Sequence, residues 1–123
     1  MKYEINFAEM AEIMNAIVKA EKKAEEFKAI KAVEEDAYKA YAESDCSLAL
    51  ATEWSNAYQA REKVRKSFRK AIKEAGELLF NDDNGYERDE FNRYAKDCYE
   101  SNIERLLYMV RSAAMQQMRY INL

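Results

Sequence analysis

Apolar residues along this chain recur at intervals of three and four, the repeat of one helix face. The first series runs Phe7, Met10, Met14, Ile17, Ala24, Phe27, Ile30, Ala37 and Tyr41. Asn6 followed by Glu9 reads as a capping box, and Ile5 with Met10 has the spacing of a hydrophobic staple. Between Asn6 and Ala42 the intervening residues are mostly Ala, Glu and Lys, which favour helix. The pattern predicts a first helix over about 7–42. Glu43-Ser44-Asp45-Cys46-Ser47 breaks it and offers several N-cap residues in a row. A second series, Leu50, Trp54, Ala57, Arg61, Val64, Phe68, Ala71, Ala75 and Leu78, alternates steps of four and three, the heptad spacing of a packed seam. It predicts a second helix over about 47–80, with Arg61 as its one polar seam position and Gly76 as a tolerated interior glycine. After the turn signal Asn81-Asp82-Asp83-Asn84-Gly85, the residues Phe91, Tyr94, Cys98, Ile103, Leu106, Val110, Ala113 and Gln117 predict a third helix over about 86–120.

Three helices with short connections fold most simply as an elongated antiparallel three-helix bundle, all-α and coiled-coil-like. Helices of this length would make a rod roughly 50 Å long at 1.5 Å per residue. A break inside the first helix would give four helices instead. Composition narrows the picture further. The chain has 123 residues, no proline and two glycines, which suits long helices and excludes folds that need many turns. One domain spanning 1–123 is the expectation. The net charge of −3 is mild, and no apolar run approaches the ~20 residues that cross a bilayer. The N-terminal residues lack the apolar segment of a secretory signal, so a cytoplasmic location is expected and no membrane partner.

The candidate chemistry is sparse. Histidine is absent, which removes the commonest general base and metal ligand. The acid pairs Glu25-Glu26, Glu34-Glu35 and Asp82-Asp83 fall on polar faces or in a loop, so they read as solvated. If Gly85 took the sixth position of an EF-hand loop, Phe80 and Phe91 would occupy the first and twelfth, where oxygen ligands are required. In an antiparallel arrangement Cys46 and Cys98 lie roughly 30 Å apart, beyond the ~7 Å between alpha carbons that a disulfide spans. No enzyme, cofactor or metal centre is expected.

Function is therefore sought on surfaces. Residues 61–73 carry seven cations against the single acid Glu62, a local sum of +6. Lys63, Lys66, Lys70 and Lys73, with Arg69 beside them, could bind phosphates or an acidic protein. The preferred reading is a solvated face neutralised by Glu21, Glu25, Glu26, Asp97, Glu100 and Glu104, which the acidic overall balance favours. Nine tyrosines exceed what a narrow seam can bury, so several must reach the surface. Arg105, Tyr108, Arg111, Arg119 and Tyr120 combine the two residue types most enriched in binding hot spots. Arg61 in the seam is either a cation paired with an acid of the first or third helix, which would fix register, or, as is commoner, a side chain that snorkels out at the seam's edge.

These features point first to a non-enzymatic protein-binding module, a small inhibitor or regulator of a larger protein that handles nucleic acid. Phage and mobile-element inhibitors of host nucleases, anti-CRISPR proteins among them, are similar in bulk composition; the likeness is one of type. In that reading a basic groove of the partner meets the acidic surface of Asp82, Asp83, Glu87, Asp89 and Glu90. The alternatives are a nucleic-acid-binding helical protein using the basic face of the second helix, and a self-assembling protein that forms a homo-oligomer along its length.

Overall fold

The computed structural model describes residues 6–80, 85–97 and 100–119. Within them the chain forms four helices: α1 (Phe7–Ala42), α2 (Leu48–Leu79), α3 (Gly85–Asp97) and α4 (Glu100–Met118). The fold is all-α, with no strand among the described residues. The fourth helix does not come from a break in α1, which runs uninterrupted; it comes from the third segment. The apolar spacing gives the reason. Between Cys98 and Ile103 the step is five, which turns the apolar face by about 140° at 3.6 residues per turn, so one straight helix could not bury both halves. Tyr94 and Arg105, which would stand about 16 Å apart along one continuous helix, meet with the guanidinium 4.5 Å from the ring centroid. Helices α3 and α4 therefore lie side by side.

The helix ends follow from local chemistry. The Asn6 side chain accepts a hydrogen bond from the Glu9 backbone N–H at 2.8 Å, the capping contact that satisfies an otherwise orphaned donor. The proposed staple partner Ile5 lies outside the described residues. Between α1 and α2 the two serines divide the labour. The Ser44 hydroxyl donates to the Tyr41 carbonyl at 2.7 Å and accepts from the Ser47 N–H at 3.2 Å. The Ser47 hydroxyl then caps α2 by accepting from the Leu50 N–H at 3.3 Å. The reversal passes through Cys46 at a φ of 56°, a left-handed conformation that costs a non-glycine residue ~1–2 kcal/mol.

The packing divides into two compact units: Met1–Lys22 with Arg69–Leu123, and Lys23–Phe68. The first holds most of the core. Met10, Ile13, Ile17 and Ala20 of α1 are buried there, as are Ala71, Ile72, Ala75 and Leu79 of α2, Phe80 just beyond it, Phe91 and Ala95 of α3, and Ile103, Leu106, Leu107, Val110, Ala113 and Ala114 of α4. Lys19 of α1 forms an exposed ion pair with Glu74 of α2 at 3.4 Å. Gly76 is also buried, and a Cβ at that position would overlap the ring of Phe91, which packs in turn on Phe80 with centroids 5.0 Å apart. Gln117 shares the interior at 1% exposure, and neither polar atom of its amide finds a hydrogen-bond partner.

The second unit is a two-helix hairpin with a thin interior. Only Ala24, Phe27, Glu34 and Phe68 are buried in it, while Leu50, Trp54, Ala57, Arg61 and Val64 are half-buried. Two expectations for α1 are corrected. Phe7 and Met14, which the spacing places in the seam, are 61% and 39% exposed. The buried set 10, 13, 17, 20, 24 and 27 is centred on a neighbouring face, and it takes in Ile13 and Ala20.

Candidate functional site

The hairpin unit carries an aromatic cluster close to the α1–α2 connection. Glu34, Tyr38 and Tyr41 are spaced by four and three on α1, and Trp54, Tyr58 and Arg61 by four and three on α2, so each helix presents its three residues along one face. The Trp54 indole N–H donates to Glu34 Oε1 at 2.9 Å. Its ring stacks on Tyr41, with centroids 5.5 Å and planes 19° apart, and Tyr38 packs on it at 4.9 Å and a 58° tilt. Three neighbours thus hold one indole in place.

Glu34 is 8% exposed, an uncommon place for a carboxylate. Its second oxygen, Oε2, lies 3.6 Å from Arg61 Nη1, so the buried charge has a cation and an N–H to answer it. The Arg61 guanidinium reaches further, to Glu62 at 3.4 Å and over the Tyr58 ring at 5.0 Å from its centroid. Its Nε is buried and unpartnered. Glu62 accepts from Arg65 Nε at 3.0 Å. Burial pushes the Glu62 carboxyl up, but the hydrogen bond and charge of Arg65, then those of Arg61, outweigh it and hold the group below its ordinary value.

Beside this network opens a concavity of about 390 Å³, lined by Tyr41, Ala51, Trp54, Ser55 and Tyr58. Three aromatic side chains, one alanine and one serine make up its lining. Such a surface can seat an apolar or cationic side chain, since ring faces carry partial negative charge. It has no nucleophile poised by a base. Among the described residues there is also no cluster of three or more Cys, Asp or Glu that would hold a metal ion.

The residues singled out from sequence fall elsewhere. Tyr108 is 70% exposed on α4. Arg111 is exposed as well, and its Nε donates to Glu21 of α1 at 3.0 Å. Arg105 lies over Tyr94, and Arg119 is exposed at the end of α4. Glu87 and Glu90 are half-buried; Asp89 is exposed, 4.0 Å from Arg88. Asp82, Asp83 and Tyr120 lie outside the described residues, as does Cys98.

On α2, Lys63, Lys66, Lys70 and Lys73 are exposed and Arg69 is half-buried. Among the described residues none of the five enters an ion pair. The α1 acids expected to neutralise them are engaged elsewhere: Glu21 with Arg111, Glu25 with Lys28 and Glu26 with Lys23. Of the two readings of Arg61, the structure shows the pairing with an acid of α1, Glu34.

Sequence reasoning passed over the aromatic site. Tyr41 and Trp54 both stand in the apolar series, and folding α1 back on α2 about residues 43–47 brings them opposite one another. That signal looks the same as ordinary seam packing until the thinness of the hairpin is known.

What the geometry defines is an all-helical protein with an aromatic-lined concavity on its hairpin unit. No model of a protein family matches the chain, and neither does any curated protein or solved structure. No helix of the described residues is long and apolar enough to cross a membrane.

Proposed function

We propose that the chain is a non-enzymatic protein-binding module that docks a larger protein on the aromatic concavity of its hairpin unit. The observation that carries this reading is Trp54, held by Glu34, Tyr38 and Tyr41 at the wall of an open concavity. An aromatic side chain fixed before binding loses little conformational freedom when a partner arrives, and Trp, Tyr and Arg dominate binding hot spots. All three types meet here. The exposed thiol of Cys46 suits a reducing compartment, in keeping with work in the cytosol. Within this class, the reading of a small inhibitor or regulator of a nucleic-acid-handling protein, of the phage or mobile-element type, rests on size and composition.

Site-directed photo-crosslinking tests the proposal. A benzophenone amino acid at Ser55, in the concavity, should give a discrete adduct in a lysate of the native host, whereas the same group at exposed Glu53 on the opposite side of α2 should not. Adding Tyr58→Ala should lower the adduct yield at least tenfold, as expected for a hot-spot truncation of about 2 kcal/mol. Equal labelling from positions 53 and 55, or labelling indifferent to Tyr58→Ala, would defeat the reading.

A second reading, nucleic-acid binding through Lys63, Lys66, Arg69, Lys70 and Lys73, is favoured by the absence of ion pairs at these five among the described residues, which do not include the side chains of Asp97 and Glu100. It requires DNA or RNA binding that weakens steeply with salt and disappears when Lys66 and Lys70 are both changed to Glu.

A further inference from the structure

The lining of the hairpin concavity is chemically one-sided. Its single side-chain N–H donor, the Trp54 indole, is already given to Glu34 at 2.9 Å. The hydroxyls of Tyr41, Ser55 and Tyr58 have no hydrogen-bond partner among the described residues, so they stand ready to accept. An anion would meet no cation and no free N–H there. A cation meets three acceptor oxygens and three electron-rich rings. The Glu34 carboxylate adds to this, because a negative acceptor on the indole N–H polarises the ring toward greater electron density.

We infer that the concavity seats an arginine side chain of the partner, an inference that rests on the protein-docking function proposed above. Charge around the site selects a cation. Asp36, Glu43, Asp45 and Glu53 are exposed, form no ion pair among the described residues, and each lie within five residues of one that lines the concavity. The one cation among residues 34–60 is Lys39. The local field is therefore negative, with a reach of about 8 Å at physiological salt. The cations beyond the site do not cancel it. Arg61 is answered by Glu34 and Glu62, and Arg65 by Glu62. Lys63, five residues past Tyr58, lies about 140° round α2 from it, and Lys66 lies about 12 Å further along. Shape selects arginine. A planar guanidinium stacks on rings, sheds water more easily than an ammonium and carries five N–H donors for the hydroxyls. The chain seats its own guanidinium groups in this way, Arg61 over Tyr58 and Arg105 over Tyr94. At about 390 Å³ the concavity stands at the small end of ligand sites, suited to one side chain.

Trp54 is the only tryptophan of the chain, so its fluorescence reports on this site alone. The probe is the peptide acetyl-Gly-Gly-Arg-Gly-Gly-amide, with citrulline or lysine in place of arginine as controls. The arginine peptide should change the emission saturably, with an affinity at least tenfold above that of citrulline, which keeps the shape without the charge, and at least threefold above that of lysine. Tyr58→Ala should weaken the arginine response at least tenfold. Glu43→Lys with Glu53→Lys, both exposed, should leave the helical circular dichroism unchanged and weaken binding at low salt but not at 1 M, where charges act over only about 3 Å. Equal responses to arginine and citrulline, or a double variant that binds as the wild type does at low salt, would overturn the arginine seat. The crosslinking at Ser55 separates the two levels. An arginine response without an adduct upholds the seat and removes the docked protein, whereas an adduct with no preference for arginine does the reverse.

Discussion

Gly76 shows how one absent methyl group can set the approach of two helices. In an exposed helix Gly→Ala gains roughly 1 kcal/mol. At Gly76 the sign should reverse, because the added Cβ would occupy space held by the Phe91 ring. Gly76→Ala is expected to destabilise the protein by about 1–3 kcal/mol, the range for overpacking a filled core. Urea unfolding followed by circular dichroism measures it, and Phe91→Leu in the same chain should recover part of the loss. A gain in stability would show that α3 is free to move away. The sequence displayed this glycine only as a blemish in a helix, since its reason sits fifteen residues further on in another helix. Phe7 and Met14 misled for a related cause. Apolar character at helical spacing names a stripe, and a stripe broad enough to include both a core and an exposed flank does not say which part is covered.

At the level of elements, the boundaries were the most legible part of the chain. Asn6 and Ser47 cap as residue type and spacing imply, because capping is a contact within one turn. The division between α3 and α4 was written in the five-residue step from Cys98 to Ile103, which the regular repeats on either side obscured. Charge along α2 is also an element-scale matter. Glu62 titrates below its ordinary value of 4.5 in the folded chain, through Arg65 and Arg61. A lowered folded-state value means that the pairing stabilises fully above the unfolded-state value, and that this contribution disappears as pH falls through the folded one. Glu62→Gln should therefore flatten the part of the stability–pH curve just below pH 4.5 and leave its shape near pH 7 unaltered. Thermal melts of the two proteins across pH 3–7 check this, and parallel curves would assign the acid sensitivity to other carboxylates.

At the scale of the whole molecule, the two compact units are unequally endowed. Nearly all of the buried apolar side chains belong to one, while the hairpin of Lys23–Phe68 has three. Local opening follows the amount of apolar surface it exposes. Amide hydrogen exchange should therefore show the residues around 30–42 and 48–64 exchanging through a lower-energy opening than those of α4, by at least tenfold in rate; uniform protection would mean that the chain opens as one. The helical class was readable from composition and period, because both report on local preference. The aromatic site was not, because it exists only where the faces of two helices meet. Its buried acid has a further bearing, on descent. With Trp54 and Arg61 both directed at Glu34, sliding one hairpin arm by a turn would strand a carboxylate in the seam, so the three positions hold a single register among them. They form one heritable lock: in any lineage that keeps this hairpin, a change of Glu34 to an uncharged residue should travel with replacement of Arg61, and neither should drift alone.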